Sequence, residues 1–301
     1  GLGDVYKRQQ RKSMKKQILL TAMLLITTTT ACAQFNIKIG SGKTFRKDTI
    51  DQTVLMVQYE VDGCTDTLSE ERFQETMMLE IGKKCSKFYS YTKYVGDSVF
   101  AADIANNASQ ETMIEHAKQF GKSKLNEQTY KRYPVGKVTT LDEIAGDINR
   151  LRCEEPEECP QWTLQTDTAT ILSYLCQKAE CVFKGRRWIV WYSPEISSSE
   201  GPWKLFGLPG LILKAEDNRG HYLFTCTGME QCHSYRPILF NGKDYEPVNR
   251  KAYNKIHERY YADPVGFIMG NTPNVRITIR DNQGNEARKP KNIAHNPLEL
   301  D

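Results

Sequence analysis

Several short stretches of this sequence carry residue types that do chemistry elsewhere, and most fail on spacing. Gly40-Ser41-Gly42-Lys43-Thr44 has the glycines, lysine and threonine of a phosphate-cradling loop, but that loop needs a glycine at position 37, where Ile37 stands. Ser90-Tyr91-Thr92-Lys93 fits S-x-x-K, yet neither the S-D-N nor the K-T-G companion follows. Cys232 adjoins His233, but neighbours on a strand point to opposite faces and make a poor thiol–imidazole pair. Zinc on Cys226, Cys232 and His233 would need an unusually long step between paired ligands, and disulfide formation competes with it. No G-x-S-x-G and no H-E-x-x-H occurs. His116, His221, His257 and His295 are scattered and read as surface or capping residues. Glu154-Glu155 and Glu157-Glu158 read as a solvated acidic loop, at most a weak Ca²⁺ holder. The residues therefore name no catalytic set, no metal site and no cofactor.

The elements that would position any site are mostly strands. TVLMVQYEV (53–61) puts Leu55, Val57, Tyr59 and Val61 on one face at period two, with Asp62-Gly63 as its turn. MMLEIG and CSKFYS flank Gly82-Lys83 as a hairpin. Met113, Ile114, Ala117 and Phe120 sit at helical spacing and predict a packed helix over 109–120. Residues 130–140 return to extended character, and 153–160 read as a cysteine-bracketed loop. Residues 168–193 carry the strongest strand signal, ILSYLCQKAECVF and RWIVWY about a turn at Lys184-Gly185-Arg186. LILKAED and HYLFTC flank Asn218-Arg219-Gly220. A helix is expected over 247–261, stopped by Asp263-Pro264, and a last hairpin about DNQG. The expectation is a mainly β (α+β) fold: a large antiparallel sheet, with an open half-barrel as one form of it, carrying two or three helices.

Residues 14–33 have a basic start (Lys15, Lys16), a short apolar run and Ala31-Cys32-Ala33 before Gln34, the order of a cleavable signal peptide. The run is shorter than the roughly 20 residues a membrane span needs. Cys32 gives a rival reading as a lipid-anchored cysteine, although Thr29-Thr30-Ala31 lack the usual leucine. Residues 1–13 read as translated adapter sequence ahead of Met14. A single domain over 34–301 is then expected, exported to the periplasm or beyond. Removing the six bases and one acid of residues 1–33 leaves 35 bases and 36 acids, so no basic field remains to attract nucleic acid.

Eight cysteines remain beyond Cys32, an even number that in an exported chain favours disulfides. Cys153 with Cys159 (across EEPEE) and Cys226 with Cys232 (across Gly228) are the candidates. Cys176 and Cys181 share one strand, where five extended steps span roughly 16 Å, beyond the separation of about 7 Å a bridge tolerates.

Gly207-Leu208-Pro209-Gly210-Leu211-Ile212 spells GLPGLI. With Tyr174-Leu175-Cys176-Gln177-Lys178-Ala179, Gly185-Arg186, Trp191-Tyr192-Ser193-Pro194-Glu195-Ile196, Gly201-Pro202-Trp203 and the tail Asn296-Pro297-Leu298-Glu299-Leu300, the chain resembles the GLPGLI family of secreted bacterial proteins. Ser197-Ser198-Ser199 departs from its usual proline-containing stretch. The resemblance implies an exported β-rich protein and carries no established activity. Physically, Pro209-Gly210 suits a type II turn and the hexapeptide reads first as scaffold. Trp188, Trp191 and Trp203 read as core or cleft lining, and with Leu205 and Phe206 they would line an apolar groove. The expected function is non-catalytic binding of an apolar small molecule or an envelope protein. The other readings are a secreted hydrolase and a structural accessory of an outer-membrane complex.

Overall fold

A computed structural model describes residues 47–67, 71–120, 123–272, 276–281 and 285–300, with residue 147 known by its backbone alone. Residues 1–33, read above as leader and signal peptide, and the Gly40–Thr44 stretch lie outside the described residues. Residues 276–281 and 285–289 belong to a separate unit. In it Arg280 bridges Glu286 and Ala287 N donates to Ile279 O at 2.7 Å, which places a pairing where the last hairpin was expected.

The fold is one large, mostly antiparallel open sheet of thirteen strands with four helices among the described residues. In chain order the elements are β1 Asp48–Cys64, β2 Arg72–Gly82, β3 Ser86–Ser90, α1 Tyr91–Ala105, α2 Gln110–Phe120, β4 Gln128–Lys131, β5 Lys137–Ile144 and β6 Asn149–Pro156. They continue with β7 Thr163–Ile171, β8 Tyr174–Phe183, β9 Arg186–Ser193, β10 Leu211–Asp217, β11 Tyr222–Gln231, β12 Pro237–Phe240, β13 Glu246–Val248, α3 Arg250–Ala262 and α4 Pro264–Asn271. The spatial order is β13-β6-β5-β4-β3-β2-β1-β11-β10-β9-β8-β7, with β12 paired to β1. Among the described strands only β13 on β6 is parallel.

The period-two pattern works as chemistry predicts. Val57, Tyr59 and Val61 of the central strand β1 are fully buried, and they join Leu79, Phe88, Trp188, Leu213 and Phe224 in the main core. Asp62-Gly63 is not a turn, however: Gly63 pairs with Phe73 and Tyr222 inside the sheet. A Cβ on Gly63 would lie 2.3 Å from the Phe73 ring, so the missing side chain lets that ring lie on the backbone. The long 168–193 segment is broken at Leu172-Ser173, both at positive φ, with no glycine or asparagine to announce it. Lys184-Gly185, also at positive φ, closes the β8–β9 hairpin as expected.

Among the described residues four helices form, against the two or three expected. Ser90-Tyr91-Thr92-Lys93 starts α1: Ser90 Oγ accepts the Lys93 N–H at 3.0 Å as an N-cap. Helix α2 forms where its spacing predicted, yet buries none of its side chains, and Ile114 is half exposed. Asp263-Pro264 stops α3 but starts α4, because Asp263 caps Gly266 N at 2.9 Å and proline suits a helix's first turn. Residues 153–156 belong to strand β6, not to a loop.

The eight described cysteines are all free thiols, which corrects the two expected bridges. Cys226 and Cys232 lie along β11 and its continuation, where six extended steps span about 20 Å. Cys153 is buried with Ile144, Leu151, Tyr253 and Phe267. Cys159 is exposed and sits against Gly207, where a Cβ would lie 2.4 Å from its sulfur. Cys176 and Cys181 share β8 and are unbridged, as their spacing requires.

Two buried cations hold the irregular chain to the sheet. Lys131 Nζ meets Glu200 at 2.8 Å and donates to the carbonyls of Gly201 (2.7 Å) and Leu205 (3.2 Å), fixing the loop between β9 and β10. Arg186, on β9, pairs with Asp217 at 2.6 Å with both side chains at most 1% exposed. It also donates to Leu298 O at 2.9 Å and Asn296 Oδ1 at 2.7 Å, which ties the C-terminal segment to the sheet. Removing one partner of a buried pair strands the other's charge. Arg186→Met should therefore lower unfolding stability by about 3–5 kcal/mol, seen as a fall in the urea midpoint; an unchanged midpoint would show that the pair holds nothing together.

Candidate functional site

The polar centre of the protein comes from three separate elements. Glu127 immediately precedes β4, Asp142 lies on β5, and Tyr253 and His257 lie one turn apart on α3. The Tyr253 hydroxyl is 2.6 Å from Glu127 Oε1 and 3.1 Å from Asp142 Oδ2, so one hydroxyl proton serves two carboxylates. His257 Nε2 stands 2.9 Å from Asp142 Oδ2, and Asp142 Oδ1 accepts the Glu143 N–H at 2.8 Å. Tyr261, a further turn along α3, stacks on His295 with ring centres 3.8 Å apart.

This cluster lines a cleft of about 700 Å³. Met77, Phe88, Trp203 and Tyr222 give it an apolar wall, and residues 293–300 give it another side. Tyr222 OH donates to Asn296 O and Asn296 Nδ2 donates to Cys64 O at 2.6 Å, so that side is fixed to the sheet. Arg250 at the start of α3 bonds Glu155 (Nε–Oε1 3.1 Å) and Glu299 (3.2 Å). Lys204 reaches the same two carboxylates at 3.1 and 2.5 Å. Helix, strand β6, the β9–β10 loop and the chain end thus meet in one ion cluster.

Environment splits these groups. Burial and the adjacent Asp142 charge push Glu127 up. Burial acts on Asp142 in the same sense, but the His257 contact and charge overcome it and hold Asp142 below the usual carboxylate range. Burial lowers His257 while Asp142 and Glu127 more than offset it, so the imidazole is pushed up. His295 is pushed down by packing and by the His257 charge. Glu155 is held down to about 2: burial opposes, and Arg250 and Lys204 prevail. The reading of 153–160 as a solvated acidic loop is corrected by this cluster.

The aromatic residues proposed from sequence do not form one groove. Trp188 and Trp203 are core, at 0% and 1% exposure, packed with Phe183 and Phe224. Of the four, only Trp203 borders the cleft. Trp191 is half-buried against the core, and Phe206 is buried under Lys131. Leu208-Pro209-Gly210-Leu211 does not make the expected type II turn, Gly210 having φ 159°. Gly210 N donates to Leu208 O at 2.8 Å, closing a tighter turn around Pro209 whose fixed φ suits it. A Cβ on Gly210 would lie 2.2 Å from Ser193 O, so glycine is required by contact. Leu211 and Ile212 enter the core, and Tyr59 OH donates to Ile212 O at 2.6 Å. Cys226 is buried while Cys232 and His233 lie at the surface end of β11, so no zinc set forms there.

The reading of His257 as a surface or capping residue missed the site. One signal was available: Arg250, Tyr253, His257 and Tyr261 recur at three- and four-residue steps on one face of the expected helix. Glu127 and Asp142 gave none, since the first is an isolated acid just before an extended stretch and the second stands beside Glu143 just after it.

No family model and no curated relative matches the chain. Two solved structures of PNGF-II, in P21 and C2 crystal forms, are similar at 14% identity with TM-scores of 0.43 and 0.42. Each alignment covers 68% of this chain and 32% of that one, so the chain spans about a third of PNGF-II. Among the described residues no helix is long and apolar enough to cross a membrane.

Two titrations follow. By NMR of the imidazole rings, His257 should stay protonated above its ordinary value near 6.5 and lose protons after His295; Asp142→Asn should lower His257 and narrow the gap. Coincident titration would contradict the ion pair. Glu155 has a lower affinity for protons folded than unfolded. Its contribution to stability is therefore present above about pH 4.5 and lost as pH falls towards 2. Glu155→Gln should flatten the acid-unfolding curve across that window.

Proposed function

We propose that this chain is an exported envelope protein of the GLPGLI kind that takes up an amphipathic small molecule in the cleft, apolar body against Trp203 and Phe88, polar end at Tyr253 and His257. The observation that carries this reading is the cleft itself: about 700 Å³ is a volume fit for a small ligand, with an apolar wall and a few convergent polar groups. The export reading rests on residues 14–33. The near-neutral charge of residues 34–301 argues against nucleic acid as the partner.

A second reading, hydrolysis, is favoured by one observation. Glu127 and Asp142 share the Tyr253 hydroxyl while their proton affinities are driven in opposite directions, as in a general acid and its partner base.

The test is organic extraction of the purified chain with mass spectrometry, and uptake of a fluorescent fatty acid. Near-stoichiometric amphipathic material, or uptake reduced at least tenfold by Asn254→Trp (a cleft-lining position on α3), is the expected result. Neither extractable material nor uptake would overturn the ligand reading. Turnover of ester or glycoside substrates that is lost in Glu127→Gln would replace it with the hydrolase.

A further inference from the structure

Glu127, Asp142 and His257 each offer a ligating atom within 4.8 Å of the other two. Around zinc, with bonds of about 2.0–2.1 Å, donor atoms lie roughly 3.4 Å apart, so side-chain shifts of about an ångström would complete the set. We propose that these three residues bind a divalent transition-metal ion, zinc being the probe of choice, with the remaining coordination position turned to the cleft.

Charge supports this. Two carboxylates converge on one hydroxyl, and the His257 ring stands against one of them, Asp142. Arg250, at the start of the same helix, is already engaged by Glu155 and Glu299. A bound dication with a neutral imidazole balances both carboxylates.

Geometry supports it as well. The His257 Nε2 atom is sealed from solvent and lacks a well-directed hydrogen bond, although Asp142 Oδ2 is only 2.9 Å away. An ion placed between nitrogen and oxygen would use both lone pairs. The outer contacts that fix ligands are already present: Tyr253 OH on Glu127, and the Glu143 N–H on Asp142. One nitrogen with two carboxylates suits zinc or its neighbours better than Ca²⁺ or Mg²⁺, which prefer all-oxygen shells. Three protein ligands leave an open position, as at reactive or ligand-anchoring zinc rather than structural zinc. This inference goes beyond the uptake reading and stands without it, because metal binding requires no organic molecule in the cleft.

The experiment strips the full chain with EDTA, dialyses it and titrates it with ZnCl2 by calorimetry, with metal content measured after gel filtration. One zinc per chain is expected. Glu127→Gln, Asp142→Asn and His257→Gln should each weaken it at least tenfold, and Tyr253→Phe roughly tenfold through the outer shell. In the unaltered protein, zinc should shift the His257 ring resonances, a readout that needs no variant. Cobalt in place of zinc should give absorption without a thiolate band. A thiolate band would move the metal to the free cysteines and overturn the proposal. So would the absence of stoichiometric binding, unmoved His257 resonances, or equal affinity in all three ligand variants.

Discussion

The burial of Arg186 is the constraint on which the rest of this structure depends. A guanidinium sealed in a core is tolerable only when its charge and its donors are all answered. Asp217 answers the charge, and the C-terminal segment answers the donors through Asn296 and the Leu298 carbonyl. The chain end is therefore obliged to fold back over β9. The Lys184-Gly185 turn receives it closely, since a Cβ on Gly185 would lie 2.6 Å from Leu300 Cβ. Once that segment is fixed, Ile293, Asn296 and Leu298 become a side of the cleft.

A second group of charges carries this order to the helix that bears the site. Glu299 is only two residues from Pro297, so the segment Arg186 fixes also presents a carboxylate to Arg250 and Lys204. Arg250 begins α3, and the face of α3 that starts there continues through Tyr253, His257 and Tyr261. Scaffold and site are thus linked by a continuous path of paired charges. Glycine at 201, 207 and 210 serves the same end in the β9–β10 loop, where neighbouring atoms approach too closely for a side chain. Of the residues on which the GLPGLI resemblance rests, Trp203 and residues 296–300 line the cleft.

Some of this was open to reading in the sequence. The alternation of Val57, Tyr59 and Val61 specified a half-buried strand because side chains on a strand have period two. Lys184-Gly185 specified a hairpin turn because glycine adopts positive φ cheaply. The β-rich antiparallel fold followed from many such local rules agreeing. Local rules failed where a tertiary contact overrode them. Gly63 is a seat for the Phe73 ring instead of a turn, Leu172-Ser173 turn without a turn residue, and α2 keeps its apolar spacing while burying nothing.

By itself, the sequence determined the strand pattern, most turns, a helix over about 247–261 and the structural part played by the glycines of the GLPG loop. Tertiary structure alone decided which polar residues meet. His257 lies more than a hundred residues beyond Glu127 and Asp142, and an acid in or beside an extended segment has the same local signature on a surface as in a cleft. Their meeting depends on strand order and on where α3 packs. The cysteines obey the same rule: an even count is a property of the sequence, whereas bridging requires a separation that β11, extended, does not allow.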